Sequence, residues 1–177
     1  KTPGRSAQEA AVPLNSGWQQ RFLLPFDNTV PYLTAMAIVN ISDTDSALVR
    51  AVFRDDAGAL LSPTYERTLP PQGHRAFALS GEVPELAGKR GTAEFVTTGG
   101  RMSAVGLRFN DPAFTSYEPQ PLHLPLNGRL TIPQVAHGTL DTTTYNTTIT
   151  VVNDDAVTAR VSLRFRRRLP SATSTDL

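Results

Sequence analysis

Apolar and polar positions alternate with a period of two over short runs, and this period organises the chain. In the run from Ala47 to Phe53, Ala47, Val49, Ala51 and Phe53 fall on one side. Ser46, Leu48, Arg50, Val52 and Arg54 fall on the other. A second apolar run, Ala35 to Val39, precedes it across the polar stretch Asn40-Ile-Ser-Asp-Thr-Asp-Ser46. Two β-rich runs around a polar turn predict a hairpin. Further strands are predicted over Arg21 to Phe26, Leu60 to Leu69, Gly73 to Leu79, Gly91 to Thr97 and Met102 to Phe109. Thr98-Gly-Gly-Arg101 predicts a second hairpin, with glycine supplying the positive φ of a primed turn. Asp55-Asp-Ala-Gly58 reads as a turn, and Pro84 to Gly88 as one helical turn stopped by glycine. No window has the period of an amphipathic helix. The 14 prolines and 12 glycines punctuate the apolar runs. The expectation is an all-β protein, an antiparallel Ig-like β-sandwich.

The pattern is stated twice. Thr148 to Arg166 repeats it, with Asn153 matching Asn40 and Phe165 matching Phe53. Phe22-Leu-Leu-Pro-Phe26 matches Leu130-Thr-Ile-Pro-Gln134, so Pro25 aligns with Pro133. The offset is about 110 residues, the size of a whole sandwich rather than of a solenoid repeat. The chain therefore divides into an extension, 1–17, a complete unit, 18–120, a proline-rich hinge, 121–127, and a partial second unit, 128–177. Phe53 and Phe165 are expected in equivalent buried positions.

Leu24-Pro-Phe-Asp-Asn28, Ala37-Ile-Val-Asn40, Gly73-His-Arg-Ala-Phe77 and Gly106-Leu-Arg-Phe109 with Phe114-Thr115 resemble units of tandem β-sandwich repeats. Such units occur in large secreted proteins of environmental bacteria. Ile132-Pro-Gln-Val-Ala136 with Val151-Val-Asn153 resembles the opening of an alternating sister unit, and Gln8 to Leu14 resembles the strand that closes one. The resemblance implies fold and export, and it carries over no catalytic residue.

Charge is nearly balanced, 17 Lys+Arg against 16 Asp+Glu. No bulk field favours nucleic acid or an acidic membrane, and no apolar run reaches the roughly 18 residues that span a bilayer. The chain has no cysteine, which removes disulfides, thiolate nucleophiles and cysteine-ligated metals. Lys1 is not an initiator residue, so a processed chain with its export signal removed is expected, at an extracellular or cell-surface location.

No G-x-S-x-G elbow is present, and His74, His123 and His137 lack metal-motif spacing. No enzyme activity is expected. Asp43, Asp45, Asp55, Asp56, Asp154 and Asp155 fall in predicted turns. Clustered loop carboxylates suit calcium, the one candidate cofactor, but turn aspartates also serve local hydrogen bonds. Trp18, Tyr32, Tyr65, Tyr117 and Tyr145 are the candidate exposed aromatics for stacking on carbohydrate; Trp18 also reads as a core plug before the first strand. Arg164, Arg166 and Arg168 share a strand face as a solvated edge. Asn40-Ile-Ser42 and Asn146-Thr-Thr148 fit the N-glycosylation pattern.

Half a sandwich exposes an apolar face and unpaired edges. A strand over Gln8 to Leu14 is expected to complete it, with Glu9, Ala11, Val12 and Leu14 meeting the strands that carry Val151 and Val161. The chain's own strand could close the unit, but the proline-rich hinge and the whole first unit separate the two ends, which favours supply by a neighbouring copy or an adjacent repeat unit, linking chains head to tail. The function expected is a non-enzymatic structural or adhesive module. A carbohydrate-binding module is the alternative.

Overall fold

The computed structural model describes residues 17–111, 113–122, 131–132, 135–141 and 143–165. The chain divides into two compact units, Lys1–Val135 and Ala136–Leu177.

The first unit contains β1 (Arg21–Asp27), β2 (Tyr32–Asn40), β3 (Ala47–Arg54), β4 (Leu60–Leu69), β5 (His74–Ala78), β6 (Arg90–Thr98), β7 (Met102–Asn110), β8 (Ala113–Tyr117) and β9 (Gln120–Pro121). One helical turn, α1 (Leu79–Glu82), and a 3-10 turn, Pro84–Leu86, lie between β5 and β6. The strands form a five-stranded sheet, β4-β3-β6-β1-β9, and a four-stranded sheet, β5-β2-β7-β8. Every pairing is antiparallel. This is the antiparallel β-sandwich that the alternation predicts.

The core follows directly from the period of two. Ala47, Val49, Ala51 and Phe53 of β3 are all buried, as are Phe22, Leu24 and Phe26 of β1. Phe22 stacks on Phe95 with ring centroids 5.2 Å apart, and Phe26 meets Phe53 edge-on at 6.0 Å. Leu79, Val83 and Leu86 bring the short helical segment into the same core. Gly106 faces inward because no larger residue fits. A Cβ there would lie 2.5 Å from the Tyr117 ring and 2.8 Å from Leu24 Cδ1.

Both predicted hairpins are corrected. β2 and β3 belong to different sheets, and so do β6 and β7. The turn chemistry at Gly99 and Gly100 is as expected, with φ of +69° and +57°. The connection it makes is an arch across the core, however. A run that buries one face can satisfy it beside its neighbour or across from it, and local pattern does not choose. Here the buried faces of β6 and β7 meet across the interior, where the Thr97 hydroxyl lies 3.5 Å from Met102 Sδ. Among the described residues of the first unit, only β3 to β4 and β7 to β8 join neighbours within one sheet.

The outer faces of the two sheets differ. On the five-stranded sheet Arg21 pairs with Glu94 at 2.6 Å, and Arg50 with Glu66 at 2.6 Å. On the four-stranded sheet the outward positions carry no Asp, Glu, Lys or Arg, as the alternation of β2, β5, β7 and β8 requires.

In the second unit the described strands are β10 (His137–Leu140) and β11 (Thr143–Asn146), an antiparallel hairpin. Thr147 Oγ1 extends it by accepting from the Ala136 amide and donating to the Ala136 carbonyl, both at 2.9 Å. Residues 147–165 lie in no strand. The expected burial of Phe165 is corrected: it is 70% exposed, whereas Phe53 is 0% exposed. The described residues of this unit supply no second sheet for Phe165 to pack against.

Candidate functional site

The polar side chains with the densest bonding sit where the chain crosses between sheets. Asn40 ends β2 and is fully buried. Its Nδ2 donates to the carbonyls of Asp45 at 2.7 Å and Pro70 at 3.0 Å. Its Oδ1 accepts from the amides of Ser42 at 3.1 Å and Arg101 at 3.0 Å. The backbone adds Asn40 N–H to Gly73 O and Ile41 N–H to Arg101 O. One amide group thus ties the β2–β3, β4–β5 and β6–β7 crossings together. Asn28 does the same for the β1–β2 and β5–β6 crossings. Its Nδ2 donates to Leu86 O at 3.2 Å, and its Oδ1 accepts from the Thr34 amide at 2.9 Å. The buried Asn40 amide is committed to structure in the folded chain, whereas Asn146 is exposed at the end of β11.

The turn aspartates of the first unit are engaged in hydrogen bonds and ion pairs within it. Asp55 Oδ1 accepts from the amides of Ala57 at 2.9 Å and Ala59 at 2.8 Å. Asp56 pairs with Arg90. Asp43 Oδ1 accepts from Gln72 Nε2 at 2.8 Å, and Asp45 Oδ2 accepts from the hydroxyls of Ser42 and Thr44. Asp43 and Asp45 precede β3 while Asp55 and Asp56 follow it, so the strand holds the two pairs apart. Asp154 and Asp155 are exposed in the second unit. Among the described residues no three His, Asp or Glu side chains gather in a metal-holding group. His74 is exposed on β5, His137 is exposed on β10, and His123 lies outside the described residues.

The aromatics separate. Tyr65 is corrected to a core residue, 4% exposed and stacked on Phe77 at 5.3 Å. Tyr117 is half-buried, its hydroxyl donating to Pro25 O at 2.8 Å. Trp18 is 47% exposed, so the core-plug reading is corrected: its ring lies under the Arg101 guanidinium, 5.9 Å from the centroid. Tyr32 sits similarly under Arg108 at 5.0 Å. Trp18 adjoins the Met102 end of β7 through Gln19, and Tyr32 pairs with the Asn110 end. At about 3.4 Å per residue these ends are roughly 27 Å apart, too far for one sugar ring. Tyr145 is exposed on β11 of the second unit.

Burial has a measurable signature in two tyrosines. It pushes the Tyr65 hydroxyl from 10.0 up to about 12, against the opposing charge of Arg75. It pushes Tyr117 up to about 12 as well, against a hydrogen bond with Thr34. A phenol whose folded value lies above its unfolded value holds its proton more tightly when folded. The stability it contributes is complete below about pH 10 and is lost as pH rises from about 10 to about 12. Urea midpoints should therefore be flat from pH 7 to 9 and should fall between 10 and 12. Tyr117→Phe should flatten part of that fall. An unchanged slope in the variant would place the titration elsewhere. At the edge of the core, the Arg75 guanidinium hydrogen-bonds Glu82 and, with Arg67 on the other carboxylate oxygen, holds its carboxyl below the usual range.

The second unit repeats one piece of this geometry. The Asp155 amide donates to Asn153 Oδ1 at 3.3 Å, and Asn153 Nδ2 donates to Val157 O at 2.9 Å. Asn40 makes the same two kinds of bond, to the amide two residues on and to a carbonyl a few residues beyond. The flanking apolar residues are exposed, Val151 at 56% and Val161 at 57%. Glu9, Ala11, Val12 and Leu14, the expected assembly partners, lie outside the described residues, as do Arg166, Arg168 and most of the stretch 121–127. Arg164 is exposed.

No helix among the described residues is long and apolar enough to cross a membrane. Comparison with protein-family models, curated proteins and solved structures found no match.

Proposed function

We propose that the chain is a non-enzymatic structural or adhesive module of an extracellular or cell-surface protein, and that it assembles head to tail by strand complementation. One observation carries the reading. Asn153 holds a turn with two of the bonds that Asn40 makes, while the apolar β-type residues on both sides of it lie in no strand and are exposed. The turn is formed and the sheet around it is not. An added extended segment supplies what is missing: main-chain hydrogen bonds to the open edges and alternate side chains for the apolar face. Gln8 to Leu14 is the segment with a suitable sequence, and a neighbouring copy is its source. An open head-to-tail contact of this kind propagates into a filament.

Deletion of Lys1 to Leu14 tests the reading. The first unit should stay folded by circular dichroism, higher assemblies should disappear in sedimentation, and the amides of Val151 and Val161 should exchange rapidly. An unchanged oligomeric state with both amides still protected would show that another segment, or none, completes the second unit.

A further inference from the structure

We infer that the outer face of the four-stranded sheet β5-β2-β7-β8 is a docking surface for the same face of a second copy. This contact is separate from the head-to-tail one.

The two central strands of this sheet carry apolar residues on both sides. Inward, β2 buries Met36 and Ile38. Outward, Leu33 stands opposite Phe109, Ala35 opposite Leu107, and Ala37 opposite Val105. Strands that are apolar on both faces belong to sheets covered on both faces. The five-stranded sheet of the same unit has ion pairs on its outer face, the ordinary solution for a solvated surface. On the four-stranded sheet the ionisable group facing outward is His74, at the end of the edge strand β5.

The relief of the face names its partner. Ala35 and Ala37 of β2 adjoin Ala78 and Ala76 of β5, so half of the sheet is a shallow trough. Val105, Leu107 and Phe109 of β7 adjoin Phe114 of β8, with Phe109 and Phe114 stacked at 5.4 Å, so the other half is a ridge. A two-fold axis parallel to the strands sets β7 of one copy over β2 of the other, and β8 over β5. Each ridge then enters the opposite trough, which is the self-complementarity an isologous contact requires. Neither face brings a carboxylate or an ammonium group to be desolvated. Two nine-residue strands flanked by two five-residue strands, at about 4.8 Å spacing and about 3.4 Å per residue, give roughly 450 Å² of flat area per copy. Two copies give roughly 900 Å² before the relief of the side chains is added, close to the scale of about 1,000 Å² that marks a specific interface.

The test is sedimentation of the full chain over a wide concentration range, with Ala37→Arg at the centre of the face and Val52→Arg on the outer face of the other sheet as control. Ala37→Arg should raise the dimer dissociation constant by about 100-fold or more, since a guanidinium would be buried without a partner. Val52→Arg should leave it unchanged. Hydroxyl-radical labelling of the unmodified chain gives a reading that does not depend on a variant folding. Labelling of Leu107, Phe109 and Phe114 should fall several-fold on association while Trp18 stays reactive. Head-to-tail assembly alone leaves the labelling of all these residues constant, so the two contacts fail separately. A chain that is monomeric throughout, labelling independent of concentration, or equal effects of the two arginine variants would each overturn the inference.

Discussion

Phe53→Ala is expected to destabilise the first unit by about 3–5 kcal/mol, the range for removing a fully buried phenylalanine from a packed core. Phe53 lies on β3, at 0% exposure, with its ring edge-on to Phe26. Its removal leaves a cavity between the sheets, and the surroundings are poorly placed to collapse into it. On one side β3 pairs with β6 through a continuous register from Leu48↔Thr98 to Arg54↔Thr92. The measurement is urea denaturation followed by circular dichroism, and a loss below about 1 kcal/mol would mean that the Phe53 ring is not packed as described. Phe165→Ala serves as the paired control. Although it occupies the matching place in the repeat, its 70% exposure predicts no change in the unfolding of the first unit.

Asn40→Ala should cost about 4 kcal/mol, because it strands several main-chain groups at once rather than breaking a single bond. The amides of Ser42 and Arg101 lose their acceptor, and the carbonyls of Asp45 and Pro70 lose a donor. Asn40→Asp separates the two halves of the side chain's role. The acceptor is kept, but an oxygen replaces the donor that faced those carbonyls. A carboxyl in that setting is held protonated in the folded state, so its folded value rises above its unfolded one. The variant should then be most stable in acid and lose stability as pH rises from about 4, the unfolded carboxyl value, toward the higher folded one, the sign for a raised acid. Denaturation midpoints of Asn40→Asp at pH 4 and pH 8 measure this, and equal midpoints would show that Nδ2 contributes little.

The sequence shows which residues are buried better than it shows which strands are neighbours. The alternation of Ala47, Val49, Ala51 and Phe53 marks a buried face whether the next strand lies beside it or across the core, so β3 was legible while the arch before it was not. Gly99 and Gly100 declared a primed turn, and the turn formed, but turn geometry does not choose the sheet that receives the next strand. Tyr65 lies on an edge strand rich in charge, with Glu66 and Arg67 after it, and that context concealed its inward direction. Asn40 was visible as half of a repeat with Asn153, yet its part in joining three crossings depends on Pro70 and Arg101, distant in sequence. The outer face of β2 carries a signal of its own in the sequence. Leu33, Ala35, Ala37 and Val39 make that strand apolar on the side facing away from the core as well.

The crossings also bear on how the chain reaches its fold. Because the chain changes sheets at nearly every connection, strand partners are remote: Arg21 meets Val96, and Phe22 meets Pro121. Little stabilising pairing is local beyond the β3–β4 and β7–β8 hairpins. Long loops must close before their contacts return free energy, which places folding of the first unit on the order of milliseconds to seconds rather than microseconds. β1 waits longest. Its ladder partner β6 and the short strand β9 both come late in the chain. During synthesis from the N-terminus, its main-chain edges stay unpaired until β6 on one side and β9 on the other have emerged, the interval in which an extended segment is most open to capture by another chain.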